Sequence, residues 1–125
     1  DEERSIISAV FHNRLKLNLK LQADPTIQYV ISDGPRHLLK DDLEIDSPYN
    51  TYLYAGLPPG PICNPGGKSI LSAIFPAKNG YIYFVAKGDG YHIFSKNKKD
   101  HLKAKKTLDK LRLKLKNSRK SDKTL

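Results

Sequence analysis

Six of the eight prolines in this 125-residue chain lie between Pro48 and Pro76. Proline has no backbone N–H and holds φ near about −65°, so Gly56-Leu57-Pro58-Pro59-Gly60-Pro61 is neither helix interior nor central strand. This segment is a rigid loop, and Asn64-Pro65-Gly66-Gly67 is a second turn. A chain interrupted in this way has to be built from short elements on either side of a stiff middle. Such loops often carry binding residues, and they also serve as plain connectors.

Before the loop, Ile6, Ile7, Val10, Phe11 and Leu15 recur at helical spacing and predict a helix over residues 4–17. Arg14 falls near the middle of that apolar face, so it needs a carboxylate or carbonyl partner; Asp24 and Asp46 are the expected carboxylates. Asp24 reads as an N-cap and Pro25 as a first helical residue, predicting a short helix over 26–31. Ser32-Asp33-Gly34-Pro35 ends it, and a helical turn is expected over 40–43.

After the loop, a helix is expected over 68–75, stopped by Pro76. Tyr81-Ile82-Tyr83-Phe84-Val85-Ala86, Gly88-Asp89-Gly90 and Tyr91-His92-Ile93-Phe94 read as strand, turn and strand of a hairpin. A last helix is expected over 98–116, capped by Asn97 with Asp100 three residues on. Its apolar seam is His101, Ala104, Leu108, Leu111 and Leu115. The expected fold is therefore α+β: a small single domain of short helices with one β-hairpin and a basic C-terminal helix.

The net charge of +9 is unevenly placed. Residues 96–125 carry 13 of the 22 Lys and Arg and 3 of the 13 Asp and Glu, leaving the rest of the chain close to neutral. A solvated amphipathic helix accounts for this; electrostatic contact with phosphate or an anionic polymer is the alternative. No Tyr, Phe or Trp follows Phe94, so bases cannot stack there and no specific nucleic-acid partner is expected.

Several chemistries are excluded. One cysteine, Cys63, forms no internal disulfide framework. His12, His37, His92 and His101 lack metal-ligand spacing, and no other metal or cofactor motif is present. No stretch approaches the ~18 consecutive apolar residues of a membrane span. The acidic, polar start and the absence of Met read as a piece of a longer protein. What remains is a polar and aromatic set around the proline loop: Gln22, Asp24 and Thr26 some thirty residues before it, Tyr49, Asn50 and Tyr52 just before it, and Pro59 within it. Amides offer donors and acceptors and tyrosine a flat apolar face with a hydroxyl, a mixture suited to sugars. Half-buried core tyrosines give the same pattern.

The order of segments adds to this. Val10-Phe11-His12-Asn13-Arg14-Leu15, Leu21-Gln22-Ala23-Asp24-Pro25-Thr26, Ser47-Pro48-Tyr49-Asn50-Thr51-Tyr52, Gly56-Leu57-Pro58-Pro59-Gly60-Pro61-Ile62, Asn64-Pro65-Gly66 and His92-Ile93-Phe94 follow one another as in the endolytic murein transglycosylases, the YceG-like family, which the chain resembles over residues 1–105. Residues 106–125 form a basic helical tail outside the resemblance.

The resemblance implies a lysozyme-like setting and a bacterial enzyme held in the cytoplasmic membrane by an N-terminal span, with its catalytic domain outside. Such an enzyme cleaves peptidoglycan strands between N-acetylmuramic acid and N-acetylglucosamine without water, leaving 1,6-anhydro ends, without a cofactor and alongside cell-wall synthesis proteins. Gln22, Asp24, Thr26, Tyr49, Asn50, Tyr52 and Pro59 would contact substrate, with Asn13 and Arg14 bracing the helix behind them. The family's catalytic Glu belongs to a segment upstream of this chain, so no catalytic residue is assigned here. Glu2 and Glu3 are expected as a solvated helix N-terminus. The alternatives are a non-catalytic wall-binding module and a binder of anionic polymers through the basic tail.

Overall fold

The computed structural model describes residues 3–123. Its elements are α1 (Arg4–Lys16), α2 (Asp24–Val30), a 3₁₀ turn (Lys40–Glu44), α3 (Gly67–Ile74), β1 (Tyr83–Ala86), β2 (His92–Ser95) and α4 (Lys98–Lys123). The α+β arrangement expected from the sequence is present, with the proline-rich stretch spanning the 3₁₀ turn to α3 as loop.

The spine is α1. Ala9 and Val10 are almost fully buried in it, and Ile27 of α2 and Leu21 complete the apolar centre. Phe11 meets Phe84 of β1 edge-to-face at 5.8 Å. On another side His12 Nε2 lies 2.9 Å from the Ala73 carbonyl, and the Ala77 N–H donates to the Ser5 carbonyl at 3.0 Å, which ties α3 to α1.

The hairpin pairs Tyr83 with Ser95, Phe84 with Phe94, Val85 with Ile93 and Ala86 with His92, antiparallel. Gly88 and Gly90 sit at φ near +90°, a conformation side-chain-bearing residues avoid, and the Asp89 carboxylate accepts the Tyr91 N–H at 2.9 Å. Successive side chains of a strand point to opposite faces. Phe84 accordingly reaches α1, whereas Tyr83 stacks on His101 of α4 at 4.7 Å between ring centroids.

Asn97 caps α4 as expected: its Oδ1 accepts the Asp100 N–H at 2.8 Å, and its Nδ2 donates to Asp100 Oδ2 at 3.1 Å. The seam packs only along its first part. Leu108 is buried, but Leu111 and Leu115 are 51% and 60% exposed because the hairpin ends before they are reached. The Arg112 side chain reaches back to the hairpin, its Nη2 donating to the Ala86 carbonyl at 3.2 Å.

Three local expectations are corrected. Asp24 does not cap α2; Ala23 occupies the cap position and Asp24 is the first helical residue, its carboxylate engaged instead by the Tyr52 hydroxyl. Arg14 pairs with neither Asp24 nor Asp46. It is 7% exposed, and its Nε and Nη1 donate to the carbonyls of Lys20 and Ile82 at 2.9 and 2.7 Å. Asp46 accepts from the Tyr54 hydroxyl at 2.7 Å. Glu3 is not solvated: its carboxylate accepts the His92 backbone N–H at 3.1 Å and lies 2.8 Å from His92 Nδ1, joining the start of α1 to β2. Burial works to raise the Glu3 carboxyl, and the two His92 contacts outweigh it and hold it below the usual carboxylate range. Glu2 lies outside the described residues.

Candidate substrate cleft

An open cleft of about 750 Å³ lies where α1, the 21–25 segment, β1 and α4 meet. Val10, Phe11 and Arg14 come from α1, and Leu21, Gln22, Ala23, Asp24 and Pro25 from the chain entering α2. Leu43 and Tyr52, Ile82 with residues 83–85 of β1, and His101 and Lys105 of α4 complete the lining. Its size and its mixture of apolar surface with a few polar groups suit a small organic ligand or a segment of a polymer.

Arg14 organises one end. Its guanidinium holds the Lys20 and Ile82 carbonyls, reaches Gln22 Oε1 at 3.3 Å and lies 5.2 Å from the Tyr83 ring centre. One side chain therefore fixes the loop after α1 to the start of β1, across which the cleft opens. Asn13, one residue earlier, ties α1 itself to the segment leading into β1, donating from Nδ2 to the Asn79 and Tyr81 carbonyls at 2.9 Å each. Gln22 has φ of +50°, a left-handed conformation that costs a non-glycine residue about 1–3 kcal/mol. Its N–H, bonded to the Thr51 carbonyl at 3.1 Å, and its amide, held by Arg14, keep it there.

Of the seven residues expected to touch substrate, the structure brings Gln22, Asp24 and Tyr52 together on the cleft. Tyr52 donates its hydroxyl hydrogen to the Asp24 carboxylate. Burial, and then the hydrogen bond and charge of Asp24, push the Tyr52 phenol well above its ordinary pKa, so it stays a neutral donor across the physiological range.

Thr26 and Asn50 lie behind this surface. Asn50 is fully buried; Nδ2 donates to the carbonyls of Leu43 and Ile45 at 3.0 and 2.8 Å, and Oδ1 accepts the Tyr52 N–H at 2.9 Å. Its amide is spent on the protein's own backbone and presents Tyr52 rather than touching a ligand. Thr26 donates to the Ala23 carbonyl at 2.7 Å and lies 2.9 Å from the Thr51 hydroxyl, which in turn accepts the Ala23 N–H at 2.9 Å. These threonines clamp the start of α2 to the turn that carries Tyr52. Tyr49 packs on Tyr29 at 4.9 Å, and a Cβ built on Gly60 would come within 3.1 Å of its hydroxyl, so the proline loop closes over Tyr49 away from the cleft. Pro59 is exposed on that loop and is not among the cleft-lining residues.

Sequence reasoning missed Tyr83, His101 and Lys105 as cleft residues. The last two, four apart on a helix, share one face, a signal visible in the sequence but identical to that of a packing seam. Among the described residues no cluster of three His, Cys, Asp or Glu is placed to hold a metal ion, and no helix is long and apolar enough to cross a membrane.

A small α+β domain with a hairpin set between two helices and a polar–aromatic cleft beside them is the setting in which the comparisons fall. A model of the YceG-like family matches residues 1–107, and the chain belongs to this family. It is 50% identical over 103 residues to the endolytic murein transglycosylase of Bacillus subtilis, covering 82% of this chain and 29% of that protein. It is 38% identical over 106 residues to the endolytic murein transglycosylase of Streptococcus pneumoniae, covering 80% of this chain and 19% of that protein. The 2.6 Å crystal structure of a YceG-like protein from Listeria monocytogenes superposes with a TM-score of 0.72 at 45% identity, over 78% of this chain and 31% of that one. The chain thus spans less than a third of the length of these relatives.

Proposed function

We propose that this chain forms the substrate-cleft part of a lytic transglycosylase acting on peptidoglycan. The observation that carries the reading is the convergence of Gln22, Asp24 and Tyr52 with Tyr83 and Phe84 on one cleft, in a chain half identical to a murein transglycosylase. The protonated phenol, the carboxylate and the amide supply donors and acceptors for sugar hydroxyls and acetamido groups, and the aromatic residues supply apolar surface for ring faces.

The reaction cleaves the bond between N-acetylmuramic acid and N-acetylglucosamine without water. A carboxyl group protonates the leaving glycosidic oxygen and then, as carboxylate, takes the proton from the muramic 6-hydroxyl as that oxygen closes the 1,6-anhydro ring. One acid–base group suffices, unlike the paired carboxylates of glycoside hydrolases. In this reading the acid comes from a segment preceding residue 1. The residues described here bind and orient the strand: Arg14 and Asn13 fix the floor, Asn50, Thr26 and Thr51 present Tyr52 and Asp24, and the cleft holds the sugar. The parent enzyme sits at the outer face of a bacterial cytoplasmic membrane, anchored by an N-terminal span, and works with the proteins that assemble the wall.

The test is to incubate the 125-residue chain, and the same chain extended upstream, with purified peptidoglycan and to analyse the soluble sugars by mass spectrometry. The extended chain is expected to release anhydro-muropeptides and the 125-residue chain none. Release by the shorter chain would place the acid among its own residues, and release of reducing ends by the longer chain would make it a hydrolase.

A further inference from the structure

Helix α3 has its polar and apolar residues the wrong way round for a helix packed on a domain. Ser69 and Ser72 are its half-buried members, whereas Ile70, Leu71 and Ile74, with Phe75 just after them, are 47% to 71% exposed. No side chain of α3 is buried. The Ser72 hydroxyl turns back on its own helix and donates to the Lys68 carbonyl at 2.9 Å. The four apolar residues fall at i, i+1, i+4 and i+5 and form one stripe. A surface helix puts such a stripe inward, and a contiguous apolar patch left facing out marks an interaction surface.

The position of α3 points to what meets the stripe. His12 Nε2 lies 2.9 Å from the Ala73 carbonyl and the Ala77 N–H donates to the Ser5 carbonyl at 3.0 Å, so α3 runs back along α1 toward its first turn. Ile74 and Phe75 therefore end beside the point where the chain enters α1. The matched stretch is 29% of the Bacillus subtilis relative and 31% of the Listeria monocytogenes chain, so most of such a protein lies outside it. A segment joining α1 from upstream emerges next to the stripe and meets it at the effective concentration of a tethered partner, on the order of millimolar. A second copy would have to bury about 800 Å² per partner for a stable dimer, more than four side chains of a two-turn helix supply.

We propose that the outward stripe of α3 is the seat for the polypeptide segment that precedes residue 1 in the parent protein, docked through an apolar face of its own; the inference rests on the reading above only for the premise that such a segment exists. Seated there, the segment is held to α1, the helix that lines the cleft with Val10, Phe11 and Arg14.

The test compares the 125-residue chain with the upstream-extended chain, following Ile and Leu methyl groups by NMR as a soluble gadolinium chelate is added. In the 125-residue chain the Ile70, Leu71 and Ile74 methyls are expected to relax as fast as those of Leu113, exposed on α4. In the extended chain they should relax several-fold more slowly, with Leu113 unchanged. Ile74→Asp should return the Ile70 methyls of the extended chain to the fast rate. The same substitution should lower the melting temperature of the extended chain by about 10 °C and that of the 125-residue chain by no more than about 2–3 °C, because only the former buries the new carboxylate. Equal relaxation of the α3 methyls in the two unmodified chains would overturn the proposal. Protection that appears only where sedimentation shows a dimer would give the face to a second copy and overturn it too. An equal loss of melting temperature in both chains would mean that Ile74 supports its own domain and is no seat. Release of anhydro-muropeptides by an extended chain whose α3 methyls stay exposed would sink this inference alone. Slowed relaxation without release would leave it standing and sink the glycan reading alone.

Discussion

Residues 18–54 and residues 56–75 differ in what they bury. In the first stretch polar groups are buried and bonded: Thr26, Asp42, Asn50 and Thr51 are each less than a tenth exposed. In the second, large apolar side chains face outward, with Leu57, Leu71, Ile74 and Phe75 all more than half exposed. Both are short elements joined by loops, so irregular backbone alone does not explain the contrast. Where a loop must hold one shape beside a cleft, its carbonyls and N–H groups need defined partners, and the side chains of Asn50, Thr51 and Thr26 supply them. Where α3 only has to stay attached, His12 and Ala77 tie it to α1 and its apolar face carries no such duty.

The sharpest way to break this comparison is to remove a buried polar pin. Arg14→Ala leaves the Lys20 and Ile82 carbonyls without their donor and opens a cavity, and should lower stability by about 3–5 kcal/mol in urea unfolding. A melting temperature equal to that of the unmodified chain would contradict the assignment of Arg14 as the organising side chain. Asn50→Ala strands two carbonyls and one N–H and should cost about 2–4 kcal/mol. Asn50→Asp should not rescue it, because a carboxylate cannot donate to the Leu43 and Ile45 carbonyls.

Acid should act next, through the first stretch and the start of α1. Asp42 accepts from Arg36 Nη1 and Nη2 at 2.7 and 2.9 Å and from the Leu39 N–H at 2.7 Å. The Arg36 bonds, and then the Leu39 N–H, hold its carboxyl down at about 2. Because that lies below the value of about 3.9 in an unfolded chain, its contribution is present above pH 4 and is lost as pH falls toward 2. Glu3, also held below its ordinary value, adds in the same sense. Asp42→Asn should flatten this acid limb of the stability curve, and an unchanged limb would remove Asp42 from the account. The smallest effect is expected on α3: Ile74→Ser, at a side chain 61% exposed, should change stability by less than about 0.5 kcal/mol. A loss comparable to that of Asn50→Ala would mean that the two stretches do not differ in the way described.

The sequence made the elements legible because each carries a local signal: helical spacing in α1, prolines around the loop, Gly88-Asp89-Gly90 between strands, Asn97 before α4. Gln22, Asp24 and Tyr52 were legible as cleft residues. Asn50 was not separable from them, since an asparagine in a turn serves a ligand or its own backbone equally well until the positions of the Leu43 and Ile45 carbonyls are known. The partners of Arg14 were hidden for a related reason: they are backbone carbonyls, which every residue has, so composition pointed to the nearby aspartates instead. Tyr83 and His101 meet only because α4 folds back along the hairpin.

The central claim is that the cleft beside the pinned stretch, and not the exposed apolar stretch, receives the glycan. Amide chemical-shift mapping of the chain with a soluble, lactyl-bearing glycan tetrasaccharide tests it most directly. The account predicts that the perturbed amides cluster at Gln22, Asp24, Tyr52, Tyr83 and His101, with Ile70, Leu71 and Ile74 unmoved. Perturbations centred on α3 and Leu57, with the cleft residues silent, would contradict it.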